Sequence, residues 1–230
     1  MLLRLTEVDA LHPQKAFAER LSDWLGWTDA ISLSAALNAR PQASLPATQA
    51  AQAVQSAETG KFIRMREALV GAISEDSTLA QAKGPRDFRA SESKAPRDPK
   101  PGSAPYHRRY APKHQAMDPS VGALRGQLRA ALSEQSPEMA RLAAVDTAME
   151  QVLGERERGL LTIVPLLLER HFERSCRGAQ AQEGADPQDE AQAEARLDSF
   201  RKDMQALLLA ELDFRLQPAD GLLDALRSRP

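Results

Sequence analysis

The sequence contains few of the residues from which β-sheets are built. Valine and isoleucine together number 11 of 230 residues, and phenylalanine, tyrosine and tryptophan together number ten. Strands favour β-branched and aromatic side chains, whereas alanine and leucine lose little side-chain entropy in a helix. Alanine occurs 39 times and leucine 30 times. The composition therefore predicts an all-α protein and excludes most sheet architectures.

Cysteine and long apolar runs are also scarce. Cys176 is the single cysteine, which excludes an internal disulfide framework and a multi-cysteine zinc site and is typical of a reducing compartment. The longest apolar run, Leu160 to Leu168, is far shorter than the roughly 20 residues of a membrane-spanning helix. The amino-terminal segment MLLRLTEVDALHP has too short an apolar stretch for a signal peptide. We therefore expect a cytoplasmic protein without a transmembrane segment.

Apolar periodicity and proline content divide the chain into four segments. Residues 1–40 predict an amino-terminal helical hairpin, and residues 41–81 predict a linker followed by a helix. Residues 82–118 contain six prolines and no leucine, isoleucine or valine. Because so little apolar surface cannot offset the entropy lost on ordering a chain, we expect this Pro-rich basic segment to be disordered. Residues 119–230 predict a carboxyl-terminal helical bundle.

The carboxyl-terminal bundle is expected to be built on a long antiparallel helical hairpin. Ser136 followed by Pro137 is typical of a helix start, because a serine hydroxyl accepts a backbone N–H and proline is tolerated in the first turn. We expect this helix to kink near Pro165, which lacks the N–H that would bond the carbonyl of Leu161. The last major helix is expected to end at Pro218.

Motifs that would indicate catalysis or cofactor binding are missing. Gly60 and Lys61 resemble the end of a phosphate-binding loop, but Gln55 stands where that loop needs glycine and no strand precedes it. His171 and Cys176 lie on different sides of a helix at their spacing, so they predict neither a nucleophile pair nor a metal site. We expect no enzymatic activity, no cofactor and no metal.

Two tryptophans, Trp24 and Trp27, flank Gly26. Tryptophan is enriched among the residues that dominate protein–protein binding, so an exposed pair would anchor a partner. The alternative is core packing across the turn, with each indole N–H satisfied. We expect the packed arrangement and keep Trp24 and Trp27 as candidate partner-binding residues.

A basic tract runs from Lys83 to Lys113. It holds nine lysine or arginine residues against three acidic ones, and it includes Arg108 and Arg109 between Tyr106 and Tyr110. Cationic side chains release counterions from phosphates, and aromatic rings stack on unpaired bases. These four residues are therefore candidate contacts to nucleic acid or to an anionic protein. A basic linker that only keeps the chain soluble is the alternative interpretation.

Several long strings of residues carry a resemblance to a known family. They are WLGWTDAISLSAAL from Trp24, LRGQLRAALSEQSPEMARLAAVD from Leu124, RERGLLTIVPLLLERHFER from Arg156 and LLLAELDFRLQP from Leu207. Through them most of the chain resembles an uncharacterised bacterial family of unknown function. The resemblance implies no established activity and no catalytic residue. Genes of its members lie near those for large coiled-coil membrane proteins and peptidoglycan-binding proteins, which implies an accessory role at the cell envelope.

Two functional hypotheses follow from these patterns. The first is a non-enzymatic helical interaction or scaffold protein, whose helices pair with a protein partner or with a second copy of the chain. The alternative is an accessory nucleic-acid-binding protein that uses residues 83–113. A net charge of −2 creates no global attraction to nucleic acid, so such binding would depend on the basic tract alone.

Overall fold

A computed structural model describes residues 17–39, 48–75, 104–177 and 187–228. Every regular element in these ranges is an α-helix, and the helices pack as a bundle, which confirms the predicted all-α class. In chain order they are α1 (Phe17–Trp24), α2 (Trp27–Asn38), α3 (Thr48–Ser74), α4 (Ala104–Ser133), α5 (Pro137–Leu161), α6 (Val164–Arg177) and α7 (Pro187–Arg227). None of these helices has an apolar stretch long enough to cross a membrane.

Helix α4 overturns part of the expected disorder. Residues 104–118 are helical, so the prediction of a disordered segment is wrong for them, while residues 82–103 lie outside the described part of the chain. One buried face runs the length of α4 and consists of Tyr106, Tyr110, Met117, Val121, Leu124, Leu128 and Leu132. Burial of these large side chains stabilises the helix although Pro112 and Pro119 each remove a backbone N–H.

The described residues fall into two compact units. Within the described ranges, the first unit consists of residues from 67–117 and 163–213. A cluster of three aromatic rings lies in its core: the ring centroid of Tyr106 is 5.2 Å from that of Phe172 and 5.0 Å from that of Phe200. Edge-to-face and tilted contacts of this kind stabilise a core beyond the area that they bury. The rings therefore join α4, α6 and α7.

The second unit takes its described residues from 8–66, 118–162 and 214–230. A tight turn joins α4 to α5, and the Ser136 hydroxyl accepts the Met139 N–H at 3.2 Å with Pro137 as the first helical residue, as predicted. The buried leucines of this unit come from α4 and α7, and they are Leu124, Leu128, Leu132, Leu216, Leu222, Leu223 and Leu226. The core is therefore almost entirely aliphatic.

The expected kink near Pro165 is a complete break. Helix α5 ends at Leu161 and α6 begins at Val164. The N–H of Thr162 still bonds the carbonyl of Arg158, at 3.0 Å. Because Pro165 has no N–H, it cannot continue the hydrogen-bond ladder back to Leu161. The connection between α5 and α6 is therefore only two residues long.

Pro218 does not end the last helix, and that prediction is wrong. Helix α7 contains Pro218 and continues to Arg227. On either side of the proline, Leu216 and Ala219 are buried, at 1% and 0% exposure. Their packing offsets the loss of one backbone hydrogen bond, so tertiary contacts override the local helix-breaking tendency.

Candidate interaction surface on helix α2

A short connection sets where the second tryptophan lies. Helix α1 ends at Trp24 and α2 begins at Trp27, with Gly26 in an extended conformation as the N-cap residue. The Gly26 N–H donates to the carboxylate of Asp29 at 2.9 Å. An acidic side chain in the first turn also interacts favourably with the positive end of the helix dipole. The connection therefore places Trp27 in the first turn of α2.

Helix α2 packs against α5 and is held near both ends by arginines of α5. Arg156 Nη2 donates to the carbonyl of Trp24 at 2.8 Å, and Arg141 Nε donates to the carbonyl of Ala39 at 3.1 Å. The guanidinium carbon of Arg156 lies 5.8 Å from the Trp24 ring centroid, within the range of a cation–π contact. The half-buried residues of α2 include Asp29, Leu33 and Ala36.

The opposite face of α2 is apolar and exposed. Trp27 exposes 83% of its surface, Ile31 54% and Leu37 53%, and no residue of α2 is buried. At about 100° per residue these three side chains fall within about a third of the helix circumference. We call the exposed residues in this sector the α2 outer face; it consists of Trp27, Ala30, Ile31, Ser34, Leu37 and Asn38.

The α2 outer face carries no charge. Asp29 is the one charged residue of α2, and it is half-buried on the other side of the helix with its carboxylate bonded to the Gly26 N–H. The amide of Asn38 donates to the Ser34 carbonyl at 2.9 Å. A contiguous apolar and uncharged patch on a helix is typical of a surface that binds protein.

The structure separates the two tryptophans. Trp24 is half-buried beside Arg156, whereas Trp27 is the most exposed of the large apolar side chains that the structure describes. The expected packing of both rings is therefore wrong for Trp27. The cause is the interruption at Gly26, which assigns the two rings to different helices, so the packing of one does not determine that of the other.

The two tyrosines of the basic tract are buried in the core. Tyr106 is 8% exposed and Tyr110 is 1% exposed. Arg108 is exposed, whereas Arg109 is half-buried and interacts within the molecule. In this packing neither tyrosine ring is accessible for stacking on a base. Residues 83–103 of the tract lie outside the described part of the chain.

A buried polar cluster in the first unit is the arrangement most similar to an acid–base site. The Tyr110 hydroxyl donates to Glu211 Oε2 at 2.8 Å, and His114 Nδ1 lies 2.6 Å from Glu211 Oε1. The side chain of Glu211 is 2% exposed. A buried carboxylate whose two oxygens are both bonded to a neighbouring helix is typical of structural pairing. We interpret the cluster as a link between α4 and α7.

Sequence reasoning missed this cluster, although a signal was present. Glu211 and Arg215 fall on the same face of α7 as Met204 and Leu208, and all four are buried. Charged residues in the middle of an apolar helical face predict buried, partnered charges. Their partners could not be read from the sequence, because Tyr110 lies 101 residues from Glu211.

A second polar network pairs α4 with α5. Arg125 Nη2 lies 2.6 Å from Asp146 Oδ1, and Arg129 Nε lies 2.6 Å from Asp146 Oδ2. Arg129 also donates to Glu150. Burial alone would lower the pKa of Arg129, but its hydrogen bonds to Glu150 and Asp146 outweigh that effect and raise this pKa. The network is a set of ion pairs, and it explains these charges without any chemistry.

Two cavities in the described part of the chain have linings that do not indicate a catalytic or metal centre. An apolar one of ≈ 190 Å³ is lined by residues that include Leu69, Ile73, Pro112 and Met117. A more polar one of ≈ 480 Å³ is lined by Trp24, Asp29, Gln151, Val152, Glu155 and Arg156. No three metal-ligating side chains converge among the described residues. Gly60 and Lys61 lie inside α3, and the Cys176 side chain lies outside the described residues.

The chain matches the family described as "Protein of unknown function (DUF3348)" over residues 1–228. It therefore belongs to that family, which confirms the resemblance to a family of unknown function. No curated protein and no solved structure matches the chain.

Proposed function

We propose that this protein is a non-enzymatic interaction protein that binds a protein partner through the α2 outer face. The observation that carries the proposal is the 83% exposure of Trp27 within an uncharged apolar helical face. Tryptophan is among the residues that contribute most to binding when a partner covers them. Because α5 holds α2 near both ends, a partner meets a helix that is already formed and loses less entropy on binding.

The polar clusters support a non-enzymatic role. Both carboxylate oxygens of Glu211 have partners, and Asp146 is shared between Arg125 and Arg129. A general acid or base has to reach a substrate within hydrogen-bond distance, directly or through one water molecule. These carboxylates instead join helices of their own unit. The proposal therefore assigns them to stability.

A cytoplasmic location and an accessory role in an envelope-associated complex are part of the proposal. The single cysteine favours a reducing compartment. The envelope role rests on the resemblance to the family alone. An exposed helical face fits such a role, because amphipathic helices pair through apolar faces of this kind.

The nucleic-acid alternative loses support from the same structure. Stacking on bases needs accessible rings, and both Tyr106 and Tyr110 are buried. Of the two neighbouring arginines, only Arg108 is exposed. We therefore keep nucleic-acid binding as an outcome of the test and not as a second proposal.

The test is affinity purification with crosslinking from the native host, with three forms of the full chain. Ser34→Arg places a charge in the α2 outer face. Ser32→Arg is its matched control, because Ser32 is exposed on the same helix but lies outside that face. The hydroxyl of Ser32 bonds only the carbonyl of Thr28 within its own helix, at 3.0 Å.

The proposal predicts one set of proteins crosslinked to the wild type and to Ser32→Arg, and lost from Ser34→Arg. A charge buried without a partner in an apolar interface is strongly unfavourable, so the loss should be at least about tenfold. Equal recovery by the two variants would contradict the assigned surface. Recovery that nuclease treatment abolishes would favour the nucleic-acid alternative.

A further inference from the structure

We propose that the α2 outer face binds the same face of a second copy of this chain, with the two α2 helices antiparallel about a twofold axis. The inference rests on the proposed function and names the partner. A twofold interface uses one patch on both copies, so that patch must be complementary to itself. The sizes, charges and exposed area of the α2 residues meet this condition.

Large and small residues alternate along the α2 outer face in a way that suits self-pairing. Trp27 and Ile31 project near the start of the helix, Leu37 projects near its end, and the small residues Ala30 and Ser34 lie between them. In an antiparallel pair centred at position 32, Trp27 of each copy lies opposite Leu37 of the other. Ala30 then lies opposite Ser34, so Ile31 lies beside small residues. Each large side chain thus meets a small residue or an apolar one, as close packing requires.

The charge distribution permits two identical faces to meet. An interface between two copies repeats every charge of the patch, so one charged residue at its centre would bring like charges together. Asp29 is the one charged residue in α2, and it bonds the Gly26 N–H away from the outer face. The polar side chains on the face are Ser34 and Asn38, and the Asn38 amide donates to the Ser34 hydroxyl at 3.4 Å. Pairing therefore buries no charge.

The exposed area predicts a reversible dimer. Trp27, Ile31 and Leu37 are 83%, 54% and 53% exposed, and together they present on the order of 400 Å² of apolar surface. Two copies would bury about twice that area between them, which is less than the roughly 1,200 Å² of stable specific interfaces and lies in the range of weak, transient ones. We expect a dissociation constant of about 1 to 100 μM, and not an obligate dimer.

Sedimentation equilibrium of the full chain from about 1 to 300 μM measures this association directly. The wild type and the control variant Ser32→Arg should both show a monomer–dimer equilibrium. Ser34→Arg should weaken the dimer at least about tenfold, because each copy buries a new charge against the other. Circular dichroism checks that both variants keep the helical content of the wild type.

A wild type that stays monomeric over this range would overturn the inference, and so would a Ser34→Arg variant that dimerises like Ser32→Arg. The crosslinking experiment separates this failure from that of the proposed function. If the wild type is monomeric but captures another protein through Ser34, the inference fails and the interaction function stands. If it is monomeric and captures no protein, both fail.

Discussion

Helices α7 and α2 use their apolar faces in opposite ways. Helix α7 buries its face completely: Phe200, Met204, Leu208, Leu212 and Leu216 are each at most 1% exposed. Helix α2 buries no residue and exposes Trp27, Ile31 and Leu37. The comparison teaches that periodicity identifies the face of a helix that can be covered, whereas the covering surface comes from the rest of the chain or from a partner.

Truncating one large side chain in each helix tests this comparison most strongly. Leu212→Ala should lower the free energy of unfolding by about 2 to 5 kcal/mol, because it leaves a cavity in the core. Trp27→Ala should change it by less than about 0.5 kcal/mol, since Trp27 is exposed in the single chain. Urea denaturation in dilute solution measures both values. Similar losses for the two variants would show that Trp27 is packed.

Removing the buried carboxylate of α7 should have the next largest effect. Glu211→Ala leaves Tyr110 and His114 without their bonds to Glu211, and we expect a loss of about 2 to 3 kcal/mol. Tyr110→Phe removes one hydrogen bond to Glu211 and should cost about 1 kcal/mol. Chemical denaturation ranks the two variants. The structural interpretation of the cluster fails if Glu211→Ala is as mild as Tyr110→Phe.

The ion pairs between α4 and α5 should contribute less to the free energy of unfolding than the buried Glu211 cluster does. Asp146→Ala leaves Arg125 and Arg129 with fewer partners, and we expect a loss of about 1 to 2 kcal/mol that shrinks at high salt. Asp224→Ala is a control at an exposed pair, in which Arg227 Nη1 lies 3.4 Å from the Asp224 carboxylate. Thermal unfolding at low and high salt compares them. Equal effects would mean that the network adds nothing beyond a surface pair.

The smallest expected effect is the pH dependence of stability that arises from Glu157. Burial raises the pKa of the Glu157 carboxyl above its ordinary value of 4.5, although the nearby Arg215 opposes the shift. Because the folded pKa is the higher one, this group stabilises the fold below its unfolded pKa, and that contribution is lost as pH rises through the folded pKa.

Glu157→Gln should therefore unfold at a slightly higher temperature than the wild type at pH 7. The advantage should shrink as the pH falls to about 4, where the wild-type carboxyl is protonated. Thermal melts at a series of pH values provide the comparison. A variant that is less stable than the wild type at pH 7 would mean that the charged carboxylate stabilises the fold.

Local chemistry in the sequence predicted much of the helical framework. The abundance of alanine and leucine gave the all-α class, and the Ser136–Pro137 pair gave the start of α5. Both signals act within a few residues of one another. The first half of α4 escaped prediction, because its stability depends on Tyr106 meeting Phe172 and Phe200, which are far away in sequence.

Only part of the candidate surface could be predicted, because the rest depends on contacts between segments that are far apart in the sequence. The sequence makes Trp27 a candidate partner-binding residue. Whether Trp27 is covered depends on which other segments pack beside α2, and that is a property of the whole fold. Arg141 and Arg156, which hold α2 on α5, lie over 100 residues from the carbonyls that they bind.

Acrylamide quenching of Trp27 fluorescence tests the central claim most directly. Trp24→Phe leaves Trp27 as the single indole of the chain. The account predicts that Trp27 is quenched almost like free tryptophan in dilute protein, and that it becomes protected when the protein is concentrated or mixed with a captured partner. Protection already in dilute protein, or full quenching in the associated state, would contradict it.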